Sequence, residues 1–424
     1  MIETITTSLK RVVKTKITDG PHTTPQLVDD GIPFISAEGV VEGKIDFSKK
    51  RGYIKRKDHN IFAQKLLPQY GDIFFVKSGS TTGKIAFVET KEEFNVWSPL
   101  ALIRVNDLVD NKLLFYILQS PSFQLQVRQY WSFGTQPNIG MNKIEQLKVT
   151  FPKSKEIQKE IVKYLDELFE KTNRFIQTKQ RFIGLLKEQR QNIITNAVTK
   201  GIDEKAKMKE TVLGEIPEHW VVRRLKFIAE VNFSTVDKHS HKEEKQVRLC
   251  NYVDVYKHEY ITNDFDFMIA TATEAEIKRF TVEKGDVIIT KDSETAADIA
   301  IPALIVENLK NVVCAYHLAH IKPKRELVKS EFLFRLFQSK KINSHFEVAA
   351  KGVTRHGLSY DDINSVFLPY PPTLKEQQEI IKHIKTESRT LDIAISKAER
   401  EIELIKEFRE AMIAEAVTGK MKLN

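Results

Sequence analysis

The sequence predicts an α+β protein: two globular mixed α/β domains separated by two long helices that form an antiparallel coiled coil, pseudo-two-fold symmetric. Three observations carry this reading. Residues 156–199 lie over residues 375–418 at a constant shift of 219, without a gap and with 15 identities in 44 pairs. Both stretches carry a stripe of apolar residues at helical spacing. The segments that precede them share a framework of strands. A repeat this long exceeds the ~20–50 residues of a solenoid unit, so it is a duplicated domain together with its own helix.

Bulk properties set the class. The chain has 424 residues, 41% hydrophobic and 29% charged, which is the balance of a globular protein. No apolar run approaches the ~18 residues of a membrane span. The first twenty residues are charged and threonine-rich, unlike the apolar core of a signal peptide. Cys250 and Cys314 give no disulfide framework or metal-ligand spacing and read as buried small hydrophobes in a reducing cytoplasm. The net charge of +9 fits a polyanion partner, or a basic surface without one. No lysine or arginine block dominates, so a basic tract has to be assembled by folding.

The elements follow in order. Gly71-Asp72-Ile73-Phe74-Phe75 reads as a buried strand entered through a turn, and Gly285-Asp286-Val287-Ile288-Ile289 repeats it. The next strand ends in Val88-Glu89 or Val306-Glu307, with four extra residues in the second half. Leu113–Ser120 and Phe332–Ser339 read as matching short amphipathic helices. Phe151-Pro152 and Pro369-Tyr370-Pro371-Pro372 mark breaks before the long helices. The first stripe is Ile161, Leu165, Leu168, Phe175, Phe182, Leu186, Ile193 and Ala197; the second is Ile384, Leu391, Ile395, Ala398, Ile402, Ile405, Met412 and Ala416. Thr172, Lys179, Gln189 and Ser388 weaken these seams. Gly184 reads as a site of close helix contact. Thr199-Lys200-Gly201 and Thr418-Gly419-Lys420 read as helix stops. The resulting division is 1–152, 153–202, 203–371 and 372–424.

Stripes this narrow need a partner. The simplest one is each other, in antiparallel array; the alternatives are that each rod packs on its own globular domain or on another protein. An unbroken 44-residue helix is roughly 66 Å long at about 1.5 Å per residue. Two heads joined by such a rod form a ruler of roughly two turns of duplex DNA.

At this point the residues resemble a known family. The segments Thr18–Pro25, Ile32–Ala37, Gly71–Asp72–Ile73 through Lys84–Ile85–Ala86, Gly134–Ile139 and Leu213–Trp220, with Pro371-Pro372 before Glu376–Ile380, are similar in kind and order to the specificity subunit of type I restriction–modification systems. The resemblance covers nearly the whole length. It implies two target recognition domains, each followed by a helical spacer, that read a bipartite asymmetric site on double-stranded DNA. It implies a cytoplasmic, non-catalytic subunit, away from membranes, that carries two methyltransferase subunits and joins restriction/translocase subunits. S-adenosylmethionine, ATP and Mg belong to those partners, and this chain needs no cofactor. One departure is that the second domain opens with Gly214–Trp220, while the first has no equivalent before Thr6-Thr7-Ser8-Leu9.

Base edges are read by side chains with paired donors and acceptors, and phosphates by cations and hydroxyls. The first half offers Lys77, Ser78, Ser80, Thr81, Thr82 and Lys84 in one loop, and Gln136 and Asn138 in another. The second offers Lys291, Asp292, Ser293 and Thr295, then Thr354, Arg355 and His356. Gln136 and Asn138 suit adenine and Arg355 suits guanine; the alternative for every one is a solvated turn. His22 either touches phosphate or caps a turn. His239, His241 and His258 read as a polar loop and not a metal set. Trp97, Trp131 and Trp220 read as core or domain-edge anchors. Gly79–Lys84 has three residues between its glycines where a phosphate loop has four. Asp72 with Glu89-Thr90-Lys91 resembles a nuclease site, but Glu307-Asn308-Leu309 lacks the lysine. A coiled-coil adaptor without DNA specificity and a stand-alone nuclease are the alternatives.

Overall fold

The computed structural model describes residues 2–133 and 136–417. The chain divides into two compact units, one drawn from residues 1–179 and 400–424 and the other from residues 180–399.

The buried strands expected from sequence lie inside the central sheets. In the first unit the order is Thr18–Asp19, Leu100–Ile103, Ile73–Val76, Ile85–Phe87, Lys44–Ile45 and Val40–Val41. In the second it is Ala229–Phe233, Leu318–Pro323, Val287–Thr290, Pro302–Ile305 and Tyr260–Ile261. Ile73–Val76 and Val287–Thr290 are buried throughout and antiparallel to both neighbours. The same turn feeds each. Gly71 (φ +89°) and Gly285 (φ +94°) take a conformation that suits glycine. Asp72 and Asp286 close it by accepting from the Gln69 and Glu283 amides at 2.7 and 2.9 Å. A smaller three-stranded sheet accompanies each, with Ile32–Ile35 or Lys245–Cys250 at its centre. The short helices Asn111–Gln119 and Ser330–Gln338 are largely buried, as their apolar runs demand.

The long helices run Lys155–Lys200 and Leu374–Val417. Ser154 and Thr373 start them in the same way, each hydroxyl accepting an amide three residues on at 3.3 Å. Gly201 (φ +77°) follows the first; Thr418-Gly419-Lys420 lies outside the described residues. Each unit's core draws on both helices. Ile161 and Leu165 join Ile413, Ala416 and Val417 in the first core; Ile194, Ala197 and Val198 join Ile380, Ile381 and Ile384 in the second. The start of one helix thus meets the end of the other, which makes the pairing antiparallel.

The seam corrects the expected stripe by one residue at several turns. Ile176, Ile183 and Ile194 are buried, while Phe175 and Phe182 are 37% and 43% exposed and Ile193 is half-buried. On the second helix Ile413 replaces Met412 as the buried residue, and Leu391 and Ile405 are only half-buried. Three of the four polar residues expected to weaken the seam belong to it, while Gln189 is exposed. Thr172 and Ser388 are buried. Arg409 Nε donates to Thr172 Oγ1 at 2.6 Å and its Nη2 to Asn173 Oδ1 at 2.7 Å, and Lys179 pairs with Glu401 at 2.5 Å. In the second unit Arg190 Nε lies 2.8 Å from Asp392 Oδ1. Arg190 and Arg409 are equivalent at the shift of 219, and so are Asn173 and Asp392. One cross-helix contact is therefore built twice. Gly184 marks no close approach: a Cβ there would meet nothing within 4 Å.

A second duplicated device joins each helix to its globular part. Gln158 and Gln377 are fully buried. The Gln158 amide donates to Pro152 and Leu108 carbonyls at 2.7 and 3.2 Å and accepts from the Asp110 amide at 2.8 Å. Gln377 does the same with Pro371, Leu327 and Lys329 at 3.0, 2.9 and 2.7 Å. Every partner is displaced by 219. The opening segment is where the halves differ. Both have an edge pair, Thr4–Ser8 with Lys148–Pro152 and Val221–Arg224 with Phe367–Tyr370. Only the second has a buried Trp220, whose indole donates to Glu376 at 2.8 Å; Ile157 stands at the equivalent of Glu376.

Gln377→Ala should lower stability by about 1–3 kcal/mol, because it strands one buried amide and two carbonyls. The exposed neighbour Gln378→Ala should stay within about 0.5 kcal/mol of wild type. Denaturant midpoints of the two variants check this.

Candidate nucleic-acid interface

The first pair of candidate loops comes together. Lys77–Lys84 joins the strand Ile73–Val76 to Ile85–Phe87 and packs against residues 136–139. Gly79 N donates to Pro137 O at 3.1 Å, Ile139 N to Lys77 O at 2.9 Å, and Ser78 bridges Asn138. Gly79 (φ +104°) and Gly83 (φ +97°) allow the loop to double back. Ser80, Lys84, Gln136 and Asn138 are exposed on it and Ser78 and Thr81 are half-buried. Gly134 and Thr135 lie outside the described residues.

Two members of this set are framework. Thr82 is buried and donates to the Gly79 and Pro137 carbonyls at 2.7 and 3.0 Å, so its hydroxyl locks one loop to the other. The Lys77 side chain is only 14% exposed and pairs with Asp19 at 3.2 Å. Asp19 also holds Lys65 at 2.8 Å and His22 at 3.1 Å. Burial alone would push the Asp19 carboxyl up, but hydrogen bonds and charge from Lys65 and Lys77 outweigh it and hold it below the usual value. His22 is exposed beyond this carboxylate.

The second pair is also brought together, by different bonds. Asp292–Ser293 pairs with His356–Gly357 in a two-stranded ladder. Arg355 Nη2 and Nε donate to Asp292 Oδ1 at 2.6 and 3.1 Å, and His317 Nδ1 lies 2.8 Å from Asp292 Oδ2. The exposed Arg355 is thus steered by a carboxylate and keeps Nη1 free to donate. Thr295 and Thr354 are exposed and His356 is half-buried. Ser293 is buried, which removes it from the accessible set. Lys291 lies against Tyr316 and Phe233, 4.3 and 4.9 Å from their ring centres, and burial lowers its pKa. Gln136 and Arg355 fall at the shift of 219, so one place on the fold carries an amide in one unit and a guanidinium in the other.

Sequence reasoning missed a basic surface in the first unit. Lys49-Lys50-Arg51-Gly52-Tyr53-Ile54-Lys55-Arg56-Lys57 places six cations in nine residues. Arg51 lies 4.0 Å over the Trp97 ring and Lys50 4.8 Å over Tyr53. Gly20 packs on the Trp97 backbone, which connects this surface to the Asp19 cluster. The run itself was the available signal. The equivalent helix of the second unit opens instead with Thr273-Glu274-Ala275-Glu276.

The nuclease reading loses its acid. Asp72 is buried, and Arg104 donates to both its oxygens at 2.8 and 2.7 Å; Glu89 pairs with Lys44 at 2.9 Å. Trp220 is fully buried. His239 and His241 lie on an exposed loop, and His258 packs edge-on against Phe265. Among the described residues no helix is long and apolar enough to cross a membrane.

The family model for the type I restriction modification DNA specificity domain matches residues 9–183 and 217–404. A putative type I restriction enzyme MjaX specificity subunit of Methanocaldococcus jannaschii is 24% identical over 408 residues, covering 93% of this chain and 88% of that protein. The EcoKI specificity subunit of Escherichia coli is 21% identical over 434 residues, 99% of this chain and 88% of that one. A solved structure described as the basis of complex assembly and conformational transition of the type I R-M system shares the fold at a TM-score of 0.64 and 14% identity, covering 98% of both chains.

Asp19 makes the first site sensitive to acid. Its pKa is lowered on folding, so its stabilisation is complete above the unfolded value of about 3.9 and is lost as pH falls through the folded one. The stability gap between wild type and Asp19→Asn should therefore be open at neutral pH and close on acidification. Denaturation of both proteins at neutral and acid pH measures it.

Proposed function

The chain belongs to the type I restriction modification DNA specificity family, and from that premise we propose that it reads a bipartite, asymmetric site on double-stranded DNA and carries the subunits that act there. The observation that carries this is the pair of loop clusters. Equivalent positions on two copies of one framework present Gln136 with Asn138 in the first and Arg355 steered by Asp292 in the second. An amide pairs bidentately with adenine and a guanidinium with guanine. Two heads with different side chains read different half-sites.

Phosphate contacts fall to Lys84, Ser80 and the Lys49–Lys57 surface in the first unit. In the second they fall to Thr295, Thr354 and the exposed loop of His239 and His241. These residues position the duplex without reading it. Binding is therefore expected to weaken steeply with salt as counterions are released. The paired helices set the distance between half-sites.

Two methyltransferase subunits dock on the outer faces of the helices. Leu185 and Leu404, identical and equivalent, are 56% and 47% exposed, and Glu188 and Glu407 follow them on each helix. A repeated surface suits two copies of one partner. Restriction/translocase subunits join that assembly, in which S-adenosylmethionine, ATP and Mg are bound by the partners and this chain does no chemistry. The setting is the cytoplasm. Nothing in the geometry favours an adaptor without DNA specificity.

The test is binding of the assembled methyltransferase complex to a library of duplexes. Gln136→Ala should relax discrimination in one half-site only and Arg355→Ala in the other, each by about 1–3 kcal/mol. Uniform weakening on all sequences would remove both from the readers. Charge reversal at Glu188 and Glu407 should reduce co-purification of the methyltransferase subunits; unchanged recovery would exclude that face.

A further inference from the structure

The duplication supplies a comparison within one molecule. In the first unit Lys112 pairs with Asp166 at 2.8 Å, and the Tyr116 hydroxyl donates to the same carboxylate at 2.5 Å. The Tyr116 and Phe169 rings pack 5.1 Å apart, and Arg409 lies 4.8 Å over Phe169. At the shift of 219 these positions become Glu331, Lys385, Arg335 and Ser388 in the second unit. The ion pair survives with its signs exchanged: Lys385 holds Glu331 at 2.6 Å. The ring pair does not. A guanidinium and a hydroxymethyl group stand where two aromatic rings fill the first unit, and a groove of about 580 Å³ opens there.

Two buried donors at the groove lack acceptors, and Glu331 Oε1, buried 3.8 Å from Arg335 Nη2, lacks a hydrogen-bond donor. Arg335 is 3% exposed. Its Nη1 donates to Gln338 at 2.7 Å and its Nη2 to the Tyr260 hydroxyl at 2.6 Å, but its Nε is buried without a partner. Ser388, also 3% exposed, has a buried Oγ without a partner. Tyr260 accepts from Arg335 and so keeps its own proton to give. Buried polar groups left unpaired are exceptions, and Arg335 and Ser388 line one concavity. Charge points the same way. Glu259, Glu331 and Asp392 face Arg190, Arg335 and Lys385. Arg389, exposed on the groove wall, has no ion-pair partner among the described residues and is left in excess.

We propose that this groove binds a phosphate group, with Arg335, Ser388 and Tyr260 donating from the interior and Arg389 from the wall. A phosphate group offers acceptor oxygens in several directions, which matches donors converging from different sides. The phosphate is either free in solution, alone or on a small molecule, or part of the DNA backbone. In the first unit the packed rings of Tyr116 and Phe169 stand at the equivalent positions.

Calorimetric titration of the full-length chain with inorganic phosphate, at ionic strength held constant with chloride, tests this. Saturable binding is expected in wild type. Ser388→Phe, which restores the residue of the first unit, should weaken it by about tenfold or more, the factor that corresponds to losing one good contact. Arg389→Ala, on an exposed side chain that leaves folding undisturbed, should do likewise. Absence of saturable binding in wild type, or unchanged affinity in both variants, overturns the proposal. DNA binding by the Ser388→Phe complex then separates the sources: a parallel loss assigns the site to the DNA backbone, and unchanged DNA affinity assigns it to a free phosphate ligand.

Discussion

The pairing of the two long helices is the constraint on which the rest depends. Neither helix has a stripe wide enough to be stable alone, and each globular core is completed by residues from both. What fixes the register is polar. Arg409 reaches Thr172 and Asn173, and Arg190 reaches Asp392, at equivalent places in the duplicated sequence. An apolar seam tolerates slippage by a heptad, whereas a guanidinium displaced from its partner would lie unpaired against the opposite helix. The same arginine in both repeats fixes the register twice. Gln158 and Gln377 then tie each helix to its globular part through hydrogen bonds that are identical group for group.

Divergence reaches buried positions, such as Arg335 and Ser388 against Tyr116 and Phe169, as well as the loops. The strands, the Gly-Asp turn and the buried glutamine are retained in both halves. The loops that end in Gln136 and Arg355 are not. The exchange of Lys112–Asp166 for Glu331–Lys385 shows how far this goes. The geometry of an ion pair is kept while its signs are swapped, so the two helix starts differ electrostatically, and the ring pair packed beside it in the first unit gives way to a groove in the second. A single framework with two chemistries is what recognition of an asymmetric duplex requires.

Much of this was legible in the sequence, because duplication makes a pattern check itself. The constant shift identified both long helices and their breaks, and Gly71-Asp72 and Gly285-Asp286 identified the central strands. The seam falls one residue on from Phe175, Phe182 and Ile193, because each has an isoleucine next to it and an apolar pair fits the helical spacing at either member. Thr172 and Lys179 look like flaws in the stripe because their partners, Arg409 and Glu401, sit on a helix more than two hundred residues away. At the loops, glycine positions showed where the chain turns but not which hydroxyls point inward. Thr82 and Ser293 therefore looked accessible and are buried, and Lys77 looked free and is held by Asp19. The Lys49–Lys57 run is legible as two groups of three cations split by Gly52-Tyr53-Ile54, so it forms no single block.

The most direct measurement is of half-site spacing. One heptad inserted at matched positions in both long helices, within the paired region, adds about 10 Å of helix, or about three base pairs of duplex. Methylated sites mapped in DNA exposed to the altered complex should keep both half-site sequences and move them apart by about that distance. Sites recognised with their original spacing would contradict the proposed role of the paired helices as the ruler.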